Sequence, residues 1–288
     1  MITRNLDSGT RLAAVIGDPV AQSLSPIIHN AVFESLKVDW VYLAFLVESG
    51  KVKDALDAMS VFGIAGYSVT MPHKNEVAKL VAEIGEIDEI VKVTKSANTV
   101  MLRQDGSIFA TNTDGQGACN AIEANTSQKI AKSRVVVLGA GGTASAVVHS
   151  LIKNGAAEVV IANRTPANAE KIAQNYENCR VSSNLDQEIA DAQIVINTTP
   201  VGFNPNGEQN SESTLAPIDV TLISANHIVL DVVYRPLETG LLLAAKKVGA
   251  KTVDGLEMLV HQASLQQEVW LGTRGDTELM RRAALNRQ

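Results

Sequence analysis

Apolar positions along the chain follow two alternating rhythms. Short runs in which nearly every position is apolar are separated by longer stretches in which apolar residues recur every third or fourth position. The first rhythm suits a strand buried on both faces, the second an amphipathic helix. In the first third the runs are RLAAVIG at 11–17, WVYLAFLV at 40–47 and GIAGYSVT at 63–70. Between them, Ser25-Pro26 opens a helix, with Ser suited to the N-cap and Pro to the first turn. Residues 51–59 read as a second helix, and Pro72 starts a third that runs to about 84. This βαβαβα order predicts a mostly parallel sheet with right-handed crossovers. A Gln104-Asp105-Gly106 turn between 97–103 and 107–113 adds a hairpin.

A second series begins at Arg134. RVVVLG leads into AGGTASAVVHSLIKNG, then AEVVIANRT, then a helix over 166–176. Residues 194–198 and 227–232 read as further strands. The stretch 199–224 between them is rich in Pro, Asn, Gly and Ser, and reads as a functional or mobile loop. A helix over 236–248, a short strand at 251–253 and a helical tail over 255–288 complete the chain. No fixed repeat is visible. Two α/β units of unequal length are the simplest organisation.

Composition narrows the chemistry. The 288 residues are enough for two domains, and 45% hydrophobic with 19% charged is a globular balance. A net charge of −6 without any basic run argues against a nucleic-acid partner. Cys119 and Cys179 are the only cysteines, which excludes a disulfide scaffold and a Cys-rich zinc site and leaves two reduced core thiols. The five histidines lack metal-ligand spacing, so no metal is expected. The N-terminus is polar, and no apolar run approaches the roughly 18 residues of a membrane span. The expectation is a soluble cytoplasmic protein with no membrane partner.

Gly139-Ala140-Gly141-Gly142-Thr143-Ala144 fits G-x-G-x-x-A immediately after a strand and at the start of a helix. The first Gly permits the tight turn. The second lets the backbone approach a pyrophosphate, and the small last residue lets helix and strand pack closely. The helix N-terminus then receives the anion. The next strand ends in Asn163-Arg164-Thr165. A fold selecting NAD commonly carries Asp or Glu near this point; a guanidinium instead suits the 2′-phosphate of NADP.

Three segments of the first series end predicted strands in polar groups: 22–26, 68–74 and 111–115. Ligands of open α/β sheets sit beyond the carboxyl ends of strands. Ser23 and Ser25 beside a helix N-terminus could cradle a carboxylate, Asn98 and Asp114 could bind a polyol, and Lys74 offers a proton and a positive charge. Each also has a plainer reading: Ser25 and Asp114 as N-caps, Lys74 as a solvated helix residue.

The ordered motifs GDPVAQSLSPIIHN (17–30), SVTMPHK (68–74), ANTV (97–100), NTDG (112–115), VLGAGGTA (137–144), NRT (163–165), DVVYRP (231–236) and DGLEMLVHQA (254–263) decide between these readings. Together they resemble the shikimate dehydrogenase family, from about Leu12 to Leu271. The resemblance implies NADP-dependent, reversible reduction of 3-dehydroshikimate to shikimate, on the route to aromatic amino acids. It implies that Ser23 and Ser25 hold the substrate carboxylate and that Thr70, Asn98 and Gln262 bind ring hydroxyls, with Tyr234 also at the substrate. Lys74 and Asp114 would form the catalytic pair. Thr198, Val232 and Gly255 would join 139–144 and 163–165 around the cofactor. The implied fold is a mixed α/β substrate domain, 1–113 completed by helices over 255–288, and a Rossmann-like doubly wound NADP domain over 114–254. A monomer and a homodimer both remain open.

The chain departs from the family pattern in places. Ser68 stands for an Asn, Lys95-Ser96-Ala97 for Gly-Ala-Val before Asn98-Thr99, Gln22 for a frequent His, and Phe203 for a frequent Met after Gly202. Two alternatives stand beside the main reading. One is a quinate/shikimate dehydrogenase of broader substrate and cofactor use, which Arg164 and Ser25 oppose. The other is a non-catalytic NADP-binding regulator, which has no need of Lys74 and Asp114 together.

Overall fold

The first apolar run forms β1 (Arg11–Gly17) at the middle of a six-stranded sheet. The computed structural model describes residues 6–204 and 215–286. After β1 come α1 (Ser25–Ser35), β2 (Trp40–Leu46), α2 (Val52–Phe62), β3 (Gly66–Val69) and α3 (Lys74–Ile84). Then follow β4 (Glu86–Ile87), α4 (Glu89–Thr94), β5 (Thr99–Leu102) and β6 (Ile108–Thr111). The strand order is β2-β1-β3-β5-β6-β4. The first three strands are parallel, and β5 runs antiparallel to both β3 and β6, closing the expected hairpin. The sheet is therefore mixed.

The second series supplies α5 (Asp114–Thr126), β7 (Arg134–Leu138), α6 (Gly142–Lys153), β8 (Glu158–Ala162), α7 (Pro166–Ala173), β9 (Cys179–Val181), α8 (Leu185–Ala190) and β10 (Ile194–Asn197). It continues through β11 (Ile228–Asp231), α9 (Gly240–Lys247) and β12 (Lys251–Val253). Its sheet is wholly parallel in the order β12-β11-β10-β7-β8-β9, the doubly wound arrangement. Val135, Val137, Ile161 and Ile194 fill the core on one side and Val136, Val160 and Val195 the other, which is why these strands read as unbroken apolar runs. At the strand-start edge, Arg180 donates to Glu158 and, through two nitrogens, to Glu188.

Two helices close the chain, α10 (Gly255–Leu271) and α11 (Thr277–Leu285). The predicted continuous tail breaks at Gly272, where φ is +73°. The chain divides into one unit of Met1–Thr113 with Ala263–Gln288 and a second of Asp114–Gln262. The second division falls inside α10, whereas the expected boundary lay at its first turn.

Several expectations are corrected. Residues 40–47 are not buried on both faces: β2 is an edge strand, and Leu43 and Leu46 are exposed. Ser25 is the first residue of α1 and not its cap; Leu24 holds the cap position, and Ser23 Oγ accepts from the Ser25 amide at 3.2 Å. Residues 63–65 precede β3, because Gly63 ends α2 in the left-handed region. The helix expected from Pro236 starts at Gly240, since the Thr239 hydroxyl accepts from the Leu242 amide and caps it there. Within the expected loop, Val220–Leu222 forms a 3-10 turn, and residues 205–214 lie outside the described residues.

Candidate active site

The register of the first sheet gathers its polar strand ends. Ser68 on β3 pairs with Thr99 on β5, and Thr99 with Thr111 on β6. Because β3 and β6 run the same way and β5 runs back, Thr70, Asn98 and Thr113 all fall just past this row. Gly17 ends β1 at the same edge. A Cβ on Gly17 would lie 2.3 Å from Thr70 Cγ2, so this position admits only Gly beside Thr70. Ser23 and Ser25 follow at the start of α1, Ser25 buried and Ser23 half-buried.

Lys74 opens α3 and is half-buried. Its carbonyl accepts from the Ala97 amide at 2.9 Å, which fixes the start of α3 beside the Asn98 segment. His73, one residue earlier, is buried and bonds the Val47 carbonyl at 2.6 Å through Nε2. Asn98 Oδ1 accepts from the Thr113 amide at 2.8 Å, and Asn98 Nδ2 donates to Thr113 Oγ1 at 3.0 Å. Thr113 is thereby held, and the chain enters α5 at Asp114, itself buried, directly from this point. The sequence candidates Ser23, Ser25, Thr70, Lys74 and Asn98 are thus brought to one edge of the first unit.

In the second unit the glycine loop lies at the switch point between β7 and β10, where doubly wound sheets bind ligands. Gly139 has φ of +106°, and a Cβ there would sit 2.7 Å from Thr198 Oγ1. Thr198 in turn donates to the Leu138 carbonyl at 2.6 Å. Gly141 caps α6, and a Cβ there would meet nothing within 4 Å. The α6 N-terminus therefore faces open space, the surroundings a pyrophosphate needs. Arg164 is exposed just past β8, in a turn braced by Asn163 Nδ2 donating to the Thr165 carbonyl at 2.9 Å. These residues fit a phosphorylated dinucleotide. Tyr234 and Gln262 also belong to this unit: Tyr234 is partly buried after β11, with its phenol pKa raised by burial, and Gln262 Nε2 donates to the Leu259 carbonyl. Gly255 packs where a Cβ would lie 2.5 Å from the Val232 carbonyl.

Sequence reading passed over the groups that brace these edges. Asp231 is fully buried and accepts from Asn197 Nδ2 at 2.9 Å, the Val233 amide at 3.0 Å and Thr239 Oγ1 at 2.7 Å. Burial pushes its carboxyl up to about 6. It ties the ends of β10 and β11, beside Thr198 and Val232, to the start of α9. In the first unit, buried Tyr42, Ser68, Thr99 and Gln266 form a hydrogen-bonded series behind the polar edge. The signal for the last was present in the sequence: Gln266 and Gln267 interrupt the apolar face of α10.

Fold and site define a class: a two-domain oxidoreductase with a Rossmann-type dinucleotide domain and a separate sheet that gathers polar groups at its edge. Residues 15–100 match the shikimate dehydrogenase substrate-binding domain, 121–203 the shikimate/quinate 5-dehydrogenase model, and 255–285 the shikimate 5′-dehydrogenase C-terminal domain. The shikimate dehydrogenase (NADP(+)) of Methanopyrus kandleri is 37% identical over 293 residues, covering 99% of this chain and 98% of that one. That of Methanocaldococcus jannaschii is 35% identical over 292 residues, covering 98% and 99%. The crystal structure of shikimate 5-dehydrogenase from Thermus thermophilus, in complex with NADP(H) and shikimate, aligns with a TM-score of 0.87 at 30% identity, covering 97% of this chain and 100% of that one. The chain belongs to the shikimate dehydrogenase family. Among the described residues, no helix is long and apolar enough to cross a membrane.

Proposed function

We propose that the protein catalyses the reversible, NADP-dependent reduction of 3-dehydroshikimate to shikimate, a step toward aromatic amino acids. The observation that carries this reading is the gathering of Ser25, Thr70, Lys74 and Asn98 at one strand-end edge of the first sheet. The NADP named for the curated relatives fits the exposed Arg164 and the open glycine loop.

Ser23 and Ser25 hold the carboxylate with hydroxyl donors. Thr70, Asn98 and Gln262 take the ring hydroxyls, and Tyr234 contacts the substrate. When bound, NADP supplies or receives the hydride. In the reducing direction negative charge grows on the substrate oxygen. The Lys74 ammonium stabilises that charge and delivers the proton, and Asp114 completes the proton-handling pair. Arg164 holds the 2′-phosphate of the cofactor.

The test is to mix purified protein with shikimate and NADP and follow NADPH absorbance. Turnover with NADP and little with NAD is the expected result; no turnover overturns the reading. Quinate tests the substrate assignment, because the family model spans both acids. Quinate carries its carboxylate on a tetrahedral carbon with an added hydroxyl, whereas shikimate presents it from a planar carbon to the Ser23/Ser25 pair. An unmatched hydroxyl in a closed site costs about 1–3 kcal/mol. The specificity constant for shikimate is expected to exceed that for quinate by about tenfold or more. Equal constants would favour the broader enzyme.

A further inference from the structure

Gln266 projects from α10 into the first unit and is 1% exposed. A buried amide is costly unless its polar atoms are bonded. Here both ends are engaged. Oε1 accepts from Ser68 Oγ at 2.8 Å, while Nε2 donates to the Asn98 carbonyl and to Thr99 Oγ1, both at 3.1 Å.

These bonds sit in a directed series. Tyr42 donates to Ser68 Oγ at 2.6 Å, Ser68 donates to Gln266, and Gln266 donates to Thr99. Thr99 Oγ1 donates to Asn98 Oδ1 at 2.7 Å, the same oxygen that accepts from the Thr113 amide. At the other end, Tyr42 is tied to the helix that carries Ser25: the Asn30 side chain donates to the Tyr42 and Pro26 carbonyls, both at 2.8 Å, and accepts from the Tyr42 amide at 3.0 Å. The Tyr42 ring is held by a stack on His29, with centroids 4.3 Å apart. His29 is in turn bonded through Nδ1 to Gln267 Nε2 at 3.1 Å.

The position of Gln266 in the series is specific. The β3–β5 ladder ends at the Ser68–Thr99 pair. Beyond it the Asn98 carbonyl accepts from the Val69 amide at 2.7 Å, and Gln266 is its second donor. The amide from α10 thus bonds a residue of each strand, Ser68 on β3 and Thr99 on β5.

We propose that Gln266 is a positioning residue for substrate binding: it locks the ends of β3 and β5 and thereby sets the Ser25 group relative to the Asn98 group. The assignment rests on the reading of Ser25 and Asn98 as substrate contacts. Because Gln266 acts through Ser68, Thr99 and Asn98, its loss misplaces substrate donors in the ground state and the transition state alike. The main effect then falls on KM and not on kcat.

Gln266→Met keeps the length of the side chain and removes its hydrogen bonds. Ser68→Ala cuts the series one link earlier. Each variant and the double variant are compared with wild type by steady-state kinetics, calorimetric binding of shikimate, NADP titration and thermal melting. Both single variants are expected to raise KM and the shikimate Kd by about tenfold, with kcat within about threefold and NADP affinity unchanged. The double variant should be no worse than the poorer single one, because the two share a link. Unchanged shikimate affinity in a folded Gln266→Met protein overturns the proposal, and so do multiplying effects in the double variant or an equal loss of NADP affinity. If Gln266→Met does not fold, Ser68→Ala decides alone: shikimate affinity within about twofold of wild type refutes the proposal. A wild-type protein that neither binds nor oxidises shikimate refutes the substrate reading itself. An active wild type with unaffected variants refutes only the role of Gln266.

Discussion

In the proposed mechanism Lys74 is the residue on which the chemistry turns. It begins α3, and its carbonyl is tied to Ala97, so its long stem starts from a fixed backbone. Lys74→Ala is expected to lower kcat by roughly 10²-fold or more, the scale of a lost acid–base group, with a much smaller change in shikimate affinity. Turnover within a few-fold of wild type would remove Lys74 from the proton path. Arg164 stands apart at an exposed turn after β8, and the main chain of that turn is braced by Asn163 without its help. Arg164→Ala is therefore expected to leave the fold intact and weaken NADP by about 10- to 150-fold, with NAD nearly unaffected. Parallel titrations of the two cofactors check this.

Strand ends decide what the elements can present. β1 stops at Gly17 because the chain must pass Thr70 and the Met71 carbonyl, the latter 3.0 Å from where a Cβ would sit. Gly17→Ala would push Thr70 out of the polar edge. It is expected to cost about 1–3 kcal/mol in stability, as overpacking does, and to raise the KM for shikimate. Thr70→Ser removes the clashing methyl and keeps the hydroxyl, so adding it to Gly17→Ala should recover part of both losses. Melting curves and kinetics on the three variants measure this, and a harmless Gly17→Ala would contradict the packing. The apolar run 40–47 is misleading for a different reason: β2 is the outermost strand of its sheet, beside β1, and its Leu43 and Leu46 side chains are exposed.

At the scale of the whole molecule, the two units carry buried titratable groups of opposite sense. His29 in the first unit is pushed down to about 3 by burial, from an ordinary 6.5. Its native state binds fewer protons than the unfolded chain between these values. Its stabilisation is present above about 6.5 and is lost as pH falls through 6.5 toward 3. Asp231 in the second unit is pushed up from 3.8 to about 6, so there the native state binds more protons. Its contribution is greatest below about 3.8 and is lost as pH rises toward 6. Between pH 4 and 6, His29→Phe should make the slope of stability against pH more negative than that of wild type, and Asp231→Asn more positive. Denaturant titrations of each variant against wild type over this range test the signs. Slopes identical to wild type would mean that neither group titrates as its burial dictates.

The sequence by itself determined the parallel core of both sheets, because strands buried on two faces leave unbroken apolar runs such as 134–138 and 158–162. It also determined the glycine loop, whose turn and close approach tolerate few side chains, and the polar strand ends at Ser23, Ser25, Thr70, Lys74 and Asn98, which stand out against apolar neighbours. Local signals at helix starts were weaker: Ser25 has the right chemistry for a cap, but its backbone is already helical. Short pieces such as β4, β9 and α8 went unread because they are stabilised by their neighbours and not by their own pattern. Only the tertiary structure decided which buried polar groups meet. Tyr42, Ser68, Thr99 and Gln266 are spread over more than two hundred positions of sequence, and nothing local marks them as partners. Burial removes water as their alternative, so each must find another, and the fold alone determines which one lies within hydrogen-bonding reach.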